Sequence, residues 1–176
     1  HFRADRRKAV LSDFTLEMPA SKLLIPSITA SYRHDGKNII AATVKFDGTI
    51  EQSFVTPADL AFILPSLHTF HDTLLLASSF SGTGTSVNIG SFVVNSPSGD
   101  INIDTKGWYK KQGARGLWYA DVKHLGVSSK TIEFLSENLK GEKTEVPDVL
   151  RRLGNIDFNG NAAATRDGAI TARGNV

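Results

Sequence analysis

The sequence contains no cysteine among its 176 residues. This absence excludes a disulfide framework, a zinc site built on thiolates and a cysteine nucleophile, and it is compatible with an oxidising compartment. No apolar run approaches the roughly 20 residues that a membrane-spanning helix needs. The first ten residues, HFRADRRKAV, are charged and no apolar segment follows them, so we do not expect a signal peptide there.

The motifs of common catalytic sites are also missing. The glycine-rich stretch SGTGTS (residues 81–86) lacks the Lys-Ser/Thr ending of a phosphate-binding loop, and no Gly-x-Ser-x-Gly elbow occurs. The carboxylates are scattered singly along the chain, so they nominate no acid–base pair. We therefore predict that the protein is not an enzyme and uses no cofactor.

Two clusters of polar and aromatic residues have competing interpretations. In LHTFHD, the residues His68, His71 and Asp72 are of the types that bind zinc, but they follow Pro65, and a polar helix exit is the favoured interpretation. The segment TKGWYKKQGARGLWY (residues 105–119) mixes lysine and arginine with aromatics, a combination that can serve single-stranded nucleic acid or a membrane surface. Aromatic pairing across a hairpin is favoured instead, and the net charge of +2 argues against a nucleic-acid partner.

Alternation of apolar and polar residues with a period of two dominates the chain and predicts β-strands. It occurs in DFTLEM, IPSITASY, NIIAATVKF, SVNIGSFVV, DINIDT and LWYADV. Turn-forming residues separate these runs, at 34–36, 46–48, 81–84, 97–100 and 112–113. The short connections predict an antiparallel meander. The chain should end in a further pair of strands joined at Asp167-Gly168, the second of which stops at Val176.

Three helices are predicted to interrupt the meander. The first begins at TPADLAFILPSL, with Thr56 as cap, Pro57 in the first turn and an apolar stripe of Leu60, Ile63, Leu64 and Leu67. The second is SSKTIEFLSENLKG, with Ser129 as cap, a stripe of Ile132, Leu135 and Leu139, and Gly141 as its end. The third is short, from Pro147 to Gly154.

A weak internal repeat has the form Phe-x-Gly. It begins at Phe46, Phe80 and Phe158. Repeats normally extend over longer matches, so the sequence leaves open whether this is a true repeat or an aromatic residue that closes a strand before a glycine turn.

The alternation predicts one continuous apolar sheet face. Its candidate residues, which we also consider as candidates for lipid contact, are Ile28, Ala30, Tyr32, Ile40, Ala42, Val44, Phe46, Val87, Ile89, Val93, Ile101, Ile103, Trp118, Ala120 and Val122. Such a face must be covered by helices, by a second sheet or by a ligand or partner. The helix stripes are expected to plug or cross it, and the core of a closed sandwich is the alternative interpretation.

Two stretches resemble the TamB-like members of the AsmA-like, bridge-like lipid-transfer proteins. The first is SFVTPADLAFILPSLHTFHDTLLLASSFSGTGTSVNIGSFVV, which pairs a T-x-x-D-L helix with P-x-L-x-x-F-H-D. The second combines TIEFLSENL with VPDVLRRLGNIDFNGNAAATRDGAITARGNV, which contains P-x-V-L-x-x-L-G followed by I-x-F-x-G. The likeness runs from about Asp13 to Val176, and its motifs are structural rather than catalytic.

The resemblance implies a mainly β fold with a strongly curled antiparallel sheet, a half-pipe with an apolar interior, and a repeat architecture with a few short helices. Residues 1–176 would form a single segment of a longer protein, with strands at 13–55, a helix and β-meander at 56–125, and helices followed by a new β-module at 128–176. Val176 would then be followed by further strands.

The family resemblance also implies a function and a location. The full-length protein would be anchored in the inner membrane of a double-membraned bacterium, cross the periplasm and pass phospholipid towards the outer membrane. A barrel partner in that membrane would contact regions outside this segment. A scaffold that assembles outer-membrane proteins through exposed strand edges, or a purely structural β-repeat protein, are the alternatives.

Overall fold

The computed structural model describes residues 1–112, 115–140, 156–164 and 169–175. Its described part is dominated by one antiparallel sheet of ten strands in the order β1-β2-β3-β6-β7-β8-β9-β10-β11-β12. The strands are β1 (Phe2–Ala4), β2 (Lys8–Met18), β3 (Ser21–Ser31), β4 (His34–Asp35), β5 (Asn38–Ile39), β6 (Lys45–Val55), β7 (Leu74–Thr83), β8 (Ser86–Asn95), β9 (Asn102–Gln112), β10 (Arg115–Val127), β11 (Ile156–Ala164) and β12 (Ile170–Asn175). The pair β4-β5 is a separate small hairpin.

The predicted antiparallel meander is confirmed, because neighbours in the sheet are also neighbours along the chain apart from the β4-β5 excursion. The strong curl implied by the family resemblance is not found, and the sheet is not strongly curled. In the described residues it stays open, with β1 and β12 at its two edges. The repeat architecture remains a prediction.

A single α-helix, α1 (Ser129–Lys140), follows β10 within the described residues. The second predicted helix is thus confirmed, but its cap is one residue earlier than predicted. The Ser128 hydroxyl accepts a hydrogen bond from the Thr131 backbone N–H at 3.0 Å, and the Ser128 carbonyl accepts from the Ile132 N–H. Both contacts define Ser128 as the N-cap. The predicted third helix at 147–154, and Gly141, lie outside the described residues.

The predicted helix at 56–67 is wrong. The segment forms two 3-10 turns, Pro57–Leu60 and Pro65–Leu67, joined by four residues of which the last three are exposed and apolar. Pro65 has no N–H and clashes with the preceding turn, so a regular helix cannot continue through it. The predicted stripe is consequently not a buried face, because Ile63 is 64% and Leu64 54% exposed.

The run NIIAATVKF is not one strand, which corrects the placement of three candidate residues. The strand β5 ends at Ile39, the 3-10 turn Ala41–Thr43 follows, and β6 begins only at Lys45. Ile40, Ala42 and Val44 therefore lie outside the ten-stranded sheet. The carbonyl of Ala41 approaches Gly84, where an added Cβ would lie 2.5 Å from it, so this turn packs against the β7-β8 connection.

The predicted turn at 46–48 is also wrong, since Phe46 and Gly48 lie inside β6. The turn at 97–100 is confirmed. The turn predicted at 34–36 lies at Gly36-Lys37, between β4 and β5, and the turn predicted at 81–84 lies at Gly84-Thr85, between β7 and β8. The predicted turns at Gly113 and at Asp167-Gly168 include residues outside the described ranges.

A β-bulge in β8 moves Val93 to the other face from Val87 and Ile89. Ile89 pairs with Gly107 and Phe92 with Thr105, so three steps on β8 match two steps on β9. One extra residue inverts the alternation that follows it. As a result Val94, which the alternation places opposite Val93, joins the apolar side.

Candidate functional site

One face of the sheet carries a continuous set of apolar side chains from β3 to β10, and the strand register defines it in four rows across the strands. We call it the apolar face. The first row is Ala30, Phe46, Gly82, Val87, Tyr109 and Trp118; the second is Ile28, Gly48, Phe80, Ile89, Gly107, Ala120 and Ala162. The third row is Ile50, Ser78, Phe92, Thr105, Val122 and Gly160; the fourth is Ser53, Leu76, Val94, Ile103, Leu125 and Phe158.

The structure brings nine of the fifteen predicted residues together on this face. They are Ile28, Ala30, Phe46, Val87, Ile89, Ile103, Trp118, Ala120 and Val122. Tyr32 follows β3 directly, while Ile40, Ala42 and Val44 leave the sheet and Val93 lies on the opposite face. Ile101 precedes β9 and is buried in the core, where it is 5% exposed.

The fourth row is covered by the chain itself. The buried cluster of Phe70, Val94 and Ile101 packs against Leu74, Leu76, Phe92, Ile103, Phe134 and Leu135. Phe70 and Phe134 make an edge-to-face contact with ring centroids 5.6 Å apart, a favoured aromatic geometry. At this end, α1 and the segment between β6 and β7 therefore close a small core over the sheet. Of the helix stripes predicted to cover the face, Leu135 packs in this core, whereas Ile63, Leu64 and Leu139 are exposed.

A polar network fixes α1 in this position. Asn138, which is 4% exposed, donates to the Asp72 carboxylate at 2.7 Å and to the Phe134 carbonyl at 2.8 Å. The Thr69 hydroxyl donates to the Asn138 carbonyl at 2.6 Å. Asp72 of the LHTFHD segment thus anchors α1 through its hydrogen bond with Asn138. The ring of His68 hydrogen-bonds to the Pro65 carbonyl. No cluster of three His, Asp or Glu side chains suitable for a metal ion occurs in the described ranges.

The first row lies at the other end of the strands and is not covered by α1. Its large side chains are half-buried, and Tyr109 is 44% exposed. This end also lies away from the small core, since Phe46 stands at the start of β6 whereas Ser53, which pairs with Leu76 of that core, stands near its end. An apolar surface that spans β3 to β10 is consequently accessible here to a partner or ligand.

The Phe-x-Gly motifs are elements of the apolar face rather than turns. The Phe80 ring lies over Gly48, where an added Cβ would be 2.6 Å from it, and the Phe46 ring lies over Gly82 at the same distance. The third motif places Phe158 over Gly160, at 2.9 Å. The glycines let aromatic rings lie flat on the sheet, a known way to stabilise glycines in strands.

The opposite face is polar over much of β6 to β9, but it carries apolar residues on β2 and β3, namely Phe14, Leu16, Leu23 and Ile25. One of its rows reads Thr29, Asp47, Ser81, Asn88, Trp108 and Tyr119 across the strands. An open groove of about 730 Å³ lies on it and is lined mainly by serine, threonine, asparagine and lysine side chains. Trp108 stacks on Tyr119 with ring centroids 6.5 Å apart, and Lys106 pairs with Asp121 at 3.2 Å. The predicted cross-strand aromatic pairing is confirmed.

Sequence reasoning missed a basic pocket at the same end of the sheet as the first row. The cavity has a volume of about 760 Å³ and is lined by Arg6, Arg7, Arg33, His34, Gly36 and Lys37. We call this cluster the basic pocket. The sequence feature that indicates this pocket is a pair of short basic runs, HFRADRRK and YRHDGK. Because more than twenty residues separate them, the sequence alone does not show that the two runs lie side by side in the fold.

Comparison with family models, curated proteins and solved structures finds no match. Among the described residues, no helix combines the length and the hydrophobicity needed to cross a membrane.

Proposed function

We propose that this chain is a segment of a TamB-like, bridge-like lipid-transfer protein and that its apolar face carries phospholipid acyl chains. The observation that supports the proposal is the unbroken apolar face, whose first row is left uncovered by α1. The role is non-enzymatic, because a surface that holds acyl chains through dispersion and desolvation needs no reactive group.

The few polar side chains of the apolar face have their hydroxyl groups hydrogen-bonded to backbone carbonyls. The Ser78 hydroxyl donates to the Ser91 carbonyl at 3.0 Å, and the Thr105 hydroxyl donates to the Asp121 carbonyl at the same distance. The Ser53 hydroxyl donates to the Glu51 carbonyl at 2.7 Å. Since backbone carbonyls use these donors, the face presents little unsatisfied polarity to a bound acyl chain.

The size of the available driving force is appreciable. Each methylene group removed from water contributes about 0.8 kcal/mol, so an acyl chain that contacts even part of the first two rows would bind measurably. A strongly curled sheet is not needed for this, because hydrocarbon adapts to a gently twisted surface and requires no directional contact.

The repeat architecture belongs to the same proposal. Phe46, Phe80 and Phe158 each place a ring over a glycine of the apolar face. We propose that this ring-on-glycine unit recurs in further strands of the longer protein and extends the same surface. In this view the protein is anchored in the inner membrane and crosses the periplasm, and its other regions meet a barrel partner in the outer membrane.

The test compares two neighbouring residues that point to opposite faces. Val87→Glu places a carboxylate in the first row, whereas Asn88→Glu places it on the polar face, one residue away on the same strand. A charge among acyl chains is costly unless it is paired or protonated. We expect Val87→Glu to remain folded by circular dichroism but to lose most of its photo-crosslinking to a phospholipid with a photoactivatable acyl chain.

Asn88→Glu should retain wild-type crosslinking, because its side chain does not face the lipid. Equal crosslinking by both folded variants would contradict the proposed lipid surface and would favour an assembly scaffold or a purely structural sheet. Unfolding by Val87→Glu alone would mean that the first row is a closed core, which the alternative sandwich interpretation requires.

A further inference from the structure

We propose that the basic pocket is a binding site for a phosphate group. Two turns bring its side chains together: the β1-β2 connection supplies Arg6 and Arg7, and the residues from the end of β3 through the β4-β5 hairpin supply Arg33, His34 and Lys37. Nothing in the apolar-face function uses these residues. Four of them carry a permanent positive charge at neutral pH.

Hydrogen bonds to three consecutive carbonyls hold the two turns together. The carbonyl of Arg7 accepts from the Tyr32 backbone N–H at 2.9 Å, and that of Asp5 accepts from the Tyr32 hydroxyl at 3.0 Å. The carbonyl of Arg6 accepts from His34 Nδ1 at 2.8 Å. These bonds are neutral, so they position the basic side chains near one another without neutralising them.

The second turn is fixed from its other side as well. The Arg33 backbone N–H donates to the Thr43 hydroxyl at 2.8 Å, and its carbonyl accepts from the Ile40 N–H at 2.8 Å. Arg33 therefore has both backbone groups engaged, and its guanidinium is presented by a fixed backbone. A turn whose backbone is already ordered loses less conformational freedom when its side chains bind a ligand.

The charge of the pocket is only partly compensated within the described part of the chain, because four basic side chains lie in two turns that contain two acidic residues, Asp5 and Asp35. None of Arg6, Arg7, Arg33 and Lys37 takes part in an ion pair there. Asp5 directs one carboxylate oxygen to the backbone N–H groups of Arg7 and Lys8, at 2.6 and 2.8 Å, and its charge also interacts with the side-chain charges of these two residues. Like charges repel one another, and a bound anion removes that cost.

A phosphate ester fits this charge and geometry better than a carboxylate. Arginine presents a planar fork of donors that binds phosphate oxygens in pairs, and phosphate carries up to two negative charges. The His34 ring donates through Nδ1 to the Arg6 carbonyl, so the arginine and lysine side chains are the donors available to the phosphate. The cavity of about 760 Å³ also admits a group larger than free phosphate.

Tyr32 connects the pocket to the apolar face. It follows Ala30 of the first row by two residues, and its ring makes an edge contact with His34 at 5.4 Å between centroids. A phosphate on a lipid headgroup could thus sit in the basic pocket with its acyl chains on the first row. This lipid form rests on the proposed function, whereas the phosphate site itself does not.

The experiment is an NMR titration of the 176-residue chain with inorganic phosphate and, separately, with dihexanoyl phosphatidate below its micelle concentration. Both ligands should shift the backbone amides of residues 6–7 and 33–37, and high salt should weaken both. If the phosphatidate binds more tightly than phosphate, the natural ligand is a lipid headgroup. If the two bind equally, the natural ligand is a free phosphate compound.

The variant Arg6→Gln/Arg33→Gln should lose at least about tenfold in affinity for both ligands, since each charge-assisted hydrogen bond contributes more than 1 kcal/mol. Lys130→Gln/Arg173→Gln removes the same charge from exposed positions elsewhere and should bind normally. Val87→Glu should weaken only the phosphatidate, so failure of the lipid surface and failure of the phosphate site are distinguishable. Absence of shifts at the pocket, or equal loss in both double variants, would overturn the proposal.

Discussion

Phe46 and Phe80 lie on neighbouring antiparallel strands with ring centroids 6.3 Å apart, and each ring covers the glycine of the other residue's Phe-x-Gly motif. The reciprocity follows from the register, which pairs Phe46 with Gly82 and Gly48 with Phe80. Two copies of a three-residue motif therefore interlock across one strand pair and form a smooth aromatic patch on the apolar face.

This arrangement makes Gly48 intolerant of a side chain. The Cβ of Gly48→Ala would lie 2.6 Å from the Phe80 ring and 3.0 Å from Ile28, so the ring must move. We expect a loss of about 1–3 kcal/mol in the free energy of unfolding, typical of overpacking. Chemical denaturation measures it, with Gly126→Ala as control, because its nearest neighbour is 3.7 Å away. A neutral Gly48→Ala would show that the ring does not rest on the glycine.

The helix α1 provides a second prediction through two leucines of its predicted stripe. Leu135 packs against the small core, whereas Leu139 is 48% exposed. Leu135→Ala should cost about 2–3 kcal/mol through lost burial and a partly relaxed cavity, and Leu139→Ala should change stability by less than about 1 kcal/mol. Equal thermal shifts for the two variants would mean that α1 does not close the fourth row.

The sequence was sufficient to predict the apolar face because burial on one side of a sheet imposes a period of two. It predicted β8, β9 and β10 and their inward-facing residues, such as Ile89 and Val122. It failed at Val93, because an inserted bulge residue leaves no trace in composition while inverting every later side chain. The prediction of a strand at Ile40–Val44 was wrong for another reason. Small apolar residues can also alternate in a tight turn, and here the turn packs against Gly84.

The basic pocket could not be predicted from local sequence. Arg6 and Arg33 are brought together by the β2-β3 pairing, in which Lys8 lies opposite Ser31. Convergence of this kind depends on the register of two long strands, and a short basic run read alone indicates only a solvated turn.

Thr56 gives a third prediction, which distinguishes the helix cap predicted from the sequence from the buried hydrogen bonds seen in the structure. A helix cap needs an acceptor and tolerates aspartate, but the Thr56 hydroxyl donates to the Ala20 carbonyl at 3.0 Å and meets the Thr73 hydroxyl at 2.9 Å. Its side chain is 4% exposed. Thr56→Ser should therefore stay within about 1 kcal/mol of wild type, while Thr56→Asp should lose at least about 2 kcal/mol, because it buries a carboxylate against a carbonyl. If urea denaturation shows Thr56→Asp to be as stable as Thr56→Ser, the capping interpretation was correct.

The turn that presents Arg6 and Arg7 gives the last prediction. Hydrogen bonds from the backbone N–H groups of Arg7 and Lys8 hold the pKa of the Asp5 carboxyl below its ordinary value. A carboxyl whose pKa is lower in the folded state stabilises the turn at pH values above its unfolded pKa, and that contribution is lost as the pH falls through the folded pKa. An NMR titration should show the Asp5 carboxyl and the amides of Arg7 and Lys8 changing together, with one midpoint below the ordinary value for aspartate. In Asp5→Asn the two amides should no longer respond to acid. A wild-type midpoint at or above the ordinary value would mean that the carboxylate does not order this turn.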